Sequence, residues 1–204
     1  MAFHEQSFEI KALLFLSGFV ILSLEILGIR ILAPYVGTTT PVWAALLGVT
    51  LAGSAVGYYW GGVLADHVQK KAVFLWLTAG ASISITLIPL LRSVLSVVAP
   101  YFGYSGGAFI GAMLLFFIPI MFLSAITTYV IRIFVKTLDA IGKIHGDLYA
   151  LATIGSVVGV FGTSYILVPF FTIPTILYSL SVSIFLLSIS IFLSPSLEEG
   201  HPNS

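Results

Sequence analysis

Six stretches of this chain, 12–33, 43–65, 72–91, 107–131, 148–168 and 174–194, run apolar over the length a bilayer asks of a helix. A spanning helix needs roughly 20 such residues. Between the stretches the breaks are physical. Pro34 and Pro41 flank the first turn, Asp66–Lys71 forms the second, and Pro100–Gly107 the third. The run Lys136–Asp147 makes the fourth, and Pro169–Pro174 the fifth. Only 8% of the residues are charged and the mean hydropathy is +1.13, whereas a soluble domain carries roughly 25% charged residues. The chain lacks the polar surface to cover a water-soluble globule. The reading is an all-α integral membrane protein with six transmembrane helices over 1–194 and a short polar tail at 195–204.

A formal net charge of zero leaves no basic footprint, so nucleic acid is not an expected partner. Cysteine is absent, which excludes disulfides and thiolate metal sites. The first apolar run is too long for a cleavable signal peptide, and no small-x-small site closes it. Orientation follows from the cations near the helix ends. Lys11, Lys70, Lys71, Arg132, Lys136 and Lys143 fall on one side of the membrane, and only Arg30 and Arg92 on the other. That asymmetry places both termini in the cytoplasm of a multi-pass plasma-membrane protein. Trp43 and Trp76 then stand near the outer and inner interfaces, where amphipathic rings are expected.

An internal repeat underlies the helices. Gly53-Ser-Ala-Val-Gly57 on the second helix recurs as Gly155-Ser-Val-Val-Gly159 on the fifth, at an offset of 102. The same offset carries Arg30 onto Arg132 and Gly61 onto Thr163. A repeat unit of three helices is odd, so its second copy must run inverted. Two nested inverted three-helix repeats make half of a major facilitator fold; the alternative is that each GxxxG is a generic packing motif. The small-residue faces Gly53/Gly57/Gly61 and Gly155/Gly159 let backbones approach closely under either reading, and helices 2 and 5 are expected to pack on each other.

Two resemblances rest on these residues. Residues 62–71, GVLADHVQKK, resemble the loop between the second and third helices of major facilitator transporters, through Gly62, Leu64, Ala65, Asp66, Lys70 and Lys71. His67 and Gln69 stand where that loop has Arg and Gly. Residues 17–66, with Glu25, Arg30, Pro34, Gly37, Trp43 and the run from Gly53 to Asp66, are similar to the N-terminal membrane domain of fused spermidine synthase-like proteins. LYALATIGSVVGV from Leu148 resembles that family's fifth helix, with Ala152 where Asn is expected. The resemblance implies a soluble aminopropyltransferase-like domain after the helices. This chain carries no glycine-rich strand–loop–helix and no acidic pair for a polyamine, so it is expected to be no enzyme itself and to need no cofactor. An enzyme of that kind would be a separate polypeptide or domain.

The residues able to carry chemistry are few. Glu25 lies well inside the first helix, where an ionised carboxylate costs roughly 2.5–3.5 kcal/mol on insertion scales. It must face protein or a watery cavity, or carry a proton. Its functional reading is a proton or organic-cation site, and its structural reading a fixed pair with a helix neighbour such as Arg30. A substrate or ion path would run through Glu25, Arg30, Thr127 and Arg132. Arg30 reads equally as an interfacial anchor. Asp66 reads as a cap on the third helix or as the partner of Arg132 or Lys136. The basic inner face of Lys70, Lys71, Lys136 and Lys143 suits anionic lipid or a docked cytosolic enzyme. Histidines 4, 67, 145 and 201 lie in loops or tails without metal-ligand spacing, so no metal site is expected. Ser179, Ser183 and Ser190 read as small packing residues, and 93–106 as an interfacial hairpin or a lid.

Two functions remain from this reading. One is a permease-like half for polyamines or similar cations, acting as a homodimer or paired with another membrane chain, with helices 1 and 4 lining the cavity. The other is an anchor that holds an aminopropyltransferase-like enzyme at the bilayer.

Overall fold

The computed structural model describes residues 2–68, 71–134 and 141–193. Lys70, Lys136, Asp139 and the tail 195–204 lie outside the described residues. All regular structure among the described residues is helical. The first helix, α1 (Ala2–Val36), starts ten residues before the apolar run, because polar residues such as Glu9 and Lys11 are themselves good helix formers. It ends where Gly37 takes a positive φ of 75°, a conformation glycine adopts without strain. After this turn α2 (Thr40–His67) begins with Pro41 in its first turn, where a missing N–H costs nothing.

Next, α3 (Lys71–Leu91) passes through a tight turn at Arg92–Val94 into α4 (Leu95–Phe134). The break expected over 100–107 is far more compact. Only Gly103, at φ 66° and ψ −177°, leaves the helical region, and the chain reverses there. Leu95 and Ala99 before it lie against Gly111 and Gly107 after it, so the segment 93–106 is a helical hairpin. Helix α5 (Ile141–Gly162) widens into a π turn at Thr163–Leu167 and closes with Val168–Phe170. In that turn the Val168 N–H reaches back five residues to the Thr163 carbonyl. The next residue, Pro169, has no N–H to give and would clash in a regular turn. Helix α6 (Ile173–Leu193) ends the described chain.

Among the described residues five stretches are long and apolar enough to cross a membrane: Phe8–Val36, Thr40–His67, Ala72–Arg132, His145–Phe170 and Ile173–Leu193. The third holds 61 residues, which as one straight helix would be about 90 Å long against a hydrocarbon core of about 30 Å. It folds back on itself at Gly103. The Trp76 and Phe122 rings meet edge to face with centroids 5.5 Å apart, and Gly80 sits under Phe122.

Helices α1 and α4 form the centre. Leu13, Leu14, Leu24, Leu27 and Leu32 of α1 and Phe116, Leu123 and Tyr129 of α4 are buried. The glycine faces do allow close approach, but helices 2 and 5 do not pack on each other. Gly53, Gly57 and Gly61 of α2 lie against the α4 backbone at Phe117, Met121 and Ala125. Gly155 and Gly159 of α5 lie against the α1 backbone at Phe15 and Phe19, and one turn further Thr163 donates to Ser23 Oγ at 2.7 Å. A glycine stripe fixes how near a neighbour comes without naming that neighbour. The matched order of the contacts makes both pairs parallel.

Helices α3 and α6 are joined by hydroxyls instead. Thr78 bonds Ser188, Ser82 accepts from Ser181 at 2.8 Å, and Thr86 bonds Ser181 at 2.7 Å, in antiparallel order. A shallow groove of about 280 Å³ between these helices is lined by Ser82, Ile83, Thr86, Leu87, Ser181, Val182 and Phe185. Its hydroxyls are spent on the seam, so it offers a ligand little beyond apolar surface.

Candidate functional site

The polar groups inside the helices are sparse enough to follow individually. Glu25 lies just past residue 22, the midpoint of Phe8–Val36, and is half-buried. Leu24 and Leu27 beside it are fully buried. One turn further, Gly28 lies against the Leu46 side chain of α2 and the Phe116 ring of α4, so α1, α2 and α4 meet there. Among the described residues no hydrogen bond or ion pair reaches Glu25. The fixed pair with Arg30 is therefore not formed. Arg30, five residues on, is exposed six residues before the end of that stretch, close enough for its long stem to carry the charge outward.

The other members of the expected path are not gathered around Glu25. Thr127 is buried, and its hydroxyl donates to the Leu123 carbonyl of its own helix at 3.2 Å. Arg132, near the end of α4, donates from Nε to Asp66 Oδ1 at 2.7 Å. Both side chains of that pair are more than half exposed. Asp66 is thus no cap for α3. It is the penultimate residue of α2, at a C-terminus where the helix dipole disfavours an acid, and the Arg132 guanidinium offsets that. Close by, the buried Tyr129 hydroxyl donates to the Val68 carbonyl at 2.9 Å, which ties the end of α2 to α4 a second time. His67 Nδ1 lies 2.9 Å from the Val63 carbonyl of the same helix. A side chain at Gly62 would meet the Thr128 methyl at ordinary contact distance, and Lys71 opens α3.

Three hydroxyls on one face of α2 escaped the sequence reading. Thr50, Ser54 and Tyr58 recur every fourth residue, which aligns them along the helix. Ser124 of α4 donates to Ser54 Oγ at 3.1 Å. Tyr58 stands within reach of Ser124 and near Tyr149 of α5, whose ring packs on His145 at 4.7 Å. Thr50 Oγ1 is buried without a hydrogen-bond partner among the described residues. That spacing of hydroxyls was the available signal. Among the described residues no group of three His, Asp or Glu comes together around a metal-sized position.

The arrangement can hold a positive charge near the middle of a span, at Glu25, and offers hydroxyls on the neighbouring helix. No family model, curated protein or solved structure matches the chain.

Proposed function

We propose that this membrane protein is a permease-like half for small organic cations, polyamines being the first class to try, with Glu25 as the counter-charge on the path. The observation that carries the reading is the unpaired, half-buried carboxylate within a span. Ionisable groups in such positions face protein or water-filled cavities and mark ion or substrate pathways. The similarity of residues 17–66 to the membrane domain of spermidine synthase-like proteins supports the choice of substrate class.

The architecture proposed for it is six passes in two inverted repeats. Helices α2 and α4 are parallel, so the chain between them must cross back, which supports counting Ala72–Arg132 as two passes. The contacts also exchange under the offset of 102. Gly53 against Phe117 corresponds to Gly155 against Phe15, and Gly57 against Met121 to Gly159 against Phe19. Gly61 against Ala125 corresponds to Thr163 against Ser23. In this reading the protein sits in the plasma membrane with both termini cytoplasmic, and a second six-pass chain, most simply another copy, completes the cavity along α1 and α4.

The test is uptake of labelled polyamine by the purified protein in liposomes. Saturable uptake by the wild type that is lost in Glu25→Gln is the expected result. Equal flux in both proteins, or none in either, ends the transport reading and leaves that of an anchor for a separate aminopropyltransferase-like enzyme.

A further inference from the structure

Among the described residues every buried serine and threonine hydroxyl but one has a hydrogen-bond partner, on its own helix or across to a neighbouring one. Ser17 bonds the Leu13 carbonyl, Ser23 the Phe19 carbonyl, Thr78 the Phe74 carbonyl and Thr127 the Leu123 carbonyl, each one turn back along its own helix. Thr50 is the exception. It is only 7% exposed, and its Oγ1 has no hydrogen-bond partner among the described residues, the Leu46 carbonyl one turn back included. A buried hydroxyl left unsatisfied is costly, and such groups call for an explanation.

Its position supplies one. Helices α1 and α2 are joined by the short turn at 37–39 and meet where Gly28 lies against Leu46. From that contact Glu25 is one turn back along α1 and Thr50 one turn on along α2. In antiparallel helices those steps arrive at the same height, to within about one 1.5 Å rise, and on the faces that already touch. An unpaired carboxylate and an unpaired hydroxyl therefore stand at the same height on adjacent helices.

We propose that Glu25 and Thr50 together form a binding site for a primary ammonium group. This rests on the reading of Glu25 as a counter-charge. An alkylammonium presents three N–H donors and no acceptor. Glu25 supplies the charge and accepts one or two of these donors, and Thr50 Oγ1 accepts another. An anionic ligand would be repelled by Glu25, and a divalent metal ion would need about six oxygen ligands. Ser54, with Ser124 bonded to it, and then Tyr58 continue the line of oxygens along α2 away from Thr50.

The experiment is equilibrium binding of labelled 1,4-diaminobutane to the full chain in lipid nanodiscs, for the wild type, Glu25→Gln, Thr50→Val and Thr50→Ser, with thermal melting of each. Saturable binding is expected for the wild type and none for Glu25→Gln. Thr50→Val should bind about tenfold more weakly or worse, the loss of one hydrogen bond to a charged group, and should melt no lower than the wild type. Thr50→Ser, which keeps the hydroxyl, should restore binding. Wild-type affinity in Thr50→Val overturns the role of Thr50 and leaves Glu25 standing. Wild-type affinity in Glu25→Gln overturns the counter-charge reading itself. No diamine binding by the wild type overturns the ammonium assignment, and a Thr50→Val protein that melts lower than the wild type places the hydroxyl inside the fold instead.

Discussion

At the scale of single residues, Glu25 and Asp66 are two carboxylates with opposite solutions. Asp66 is exposed at a helix end and held by Arg132 at 2.7 Å. Pairs as open to water as this one are worth about 0–1 kcal/mol, so it orients the end of α2 more than it stabilises the fold. Glu25 has neither that solvent nor a partner. Its charged form carries a transfer cost of roughly 2.5–3.5 kcal/mol on insertion scales, which Glu25→Gln removes while keeping shape and hydrogen-bonding capacity. The variant should therefore melt at the same temperature as the wild type or higher, measured by circular dichroism in nanodiscs. A buried pair loses about 3–5 kcal/mol when one partner is removed. A clear drop in melting temperature that Arg30→Gln then reverses would mean that Glu25 and Arg30 are paired in the membrane after all.

At the scale of helices, the glycine faces make the sharpest claim. A side chain at Gly57 would meet the α4 backbone at Met121 and Ala125, and one at Gly159 the α1 backbone at Phe19. Backbone cannot step aside as a flexible side chain can, so Gly57→Leu and Gly159→Leu should each destabilise by at least about 1–3 kcal/mol. Gly48→Leu, with nothing near its Cβ position, should melt like the wild type, and equal melting of all three variants would refute the packing. The spans were largely legible in the sequence because apolar length is a composition signal that survives any packing. Partners were not. The spacing of Gly53, Gly57 and Gly61 is the same whichever helix faces it, so the stripe announced closeness and the expected mate was wrong. The turn at Gly103 was hidden for a related reason. Pro100, Gly106 and Gly107 signal a break as strongly as Gly103 does, and only the packing of Ala99 on Gly107 singles one of them out. Thr50 was the least legible, since a hydroxyl denied its own carbonyl looks in sequence like any other helical threonine.

At the scale of the whole molecule, the proposed path lacks a wall. Helix α5 is held along one face by α1, and only 17% of its apolar window is buried. Its outward side, with Ile154, Val157, Val158 and Phe161, is exposed, as are Leu47, Leu51 and Tyr59 on α2. Lipid can cover apolar surface of this kind, but lipid cannot solvate an ionised Glu25, which needs water or protein on its open side. A second copy that closes over α1 and α4 would enclose that side and leave the carboxylate facing a cavity instead of acyl chains. The protein should therefore be dimeric when extracted with its native lipid, and uptake, if a cavity between copies is the path, should fall as the protein is diluted into separate liposomes. The absence of native cysteine makes the measurement direct. A single cysteine placed on an exposed loop and labelled with one fluorophore should bleach in two steps per particle. A consistent single step, at copy numbers well above those of a cell membrane, would leave Glu25 with no protein to complete its site and would favour the anchor reading over transport.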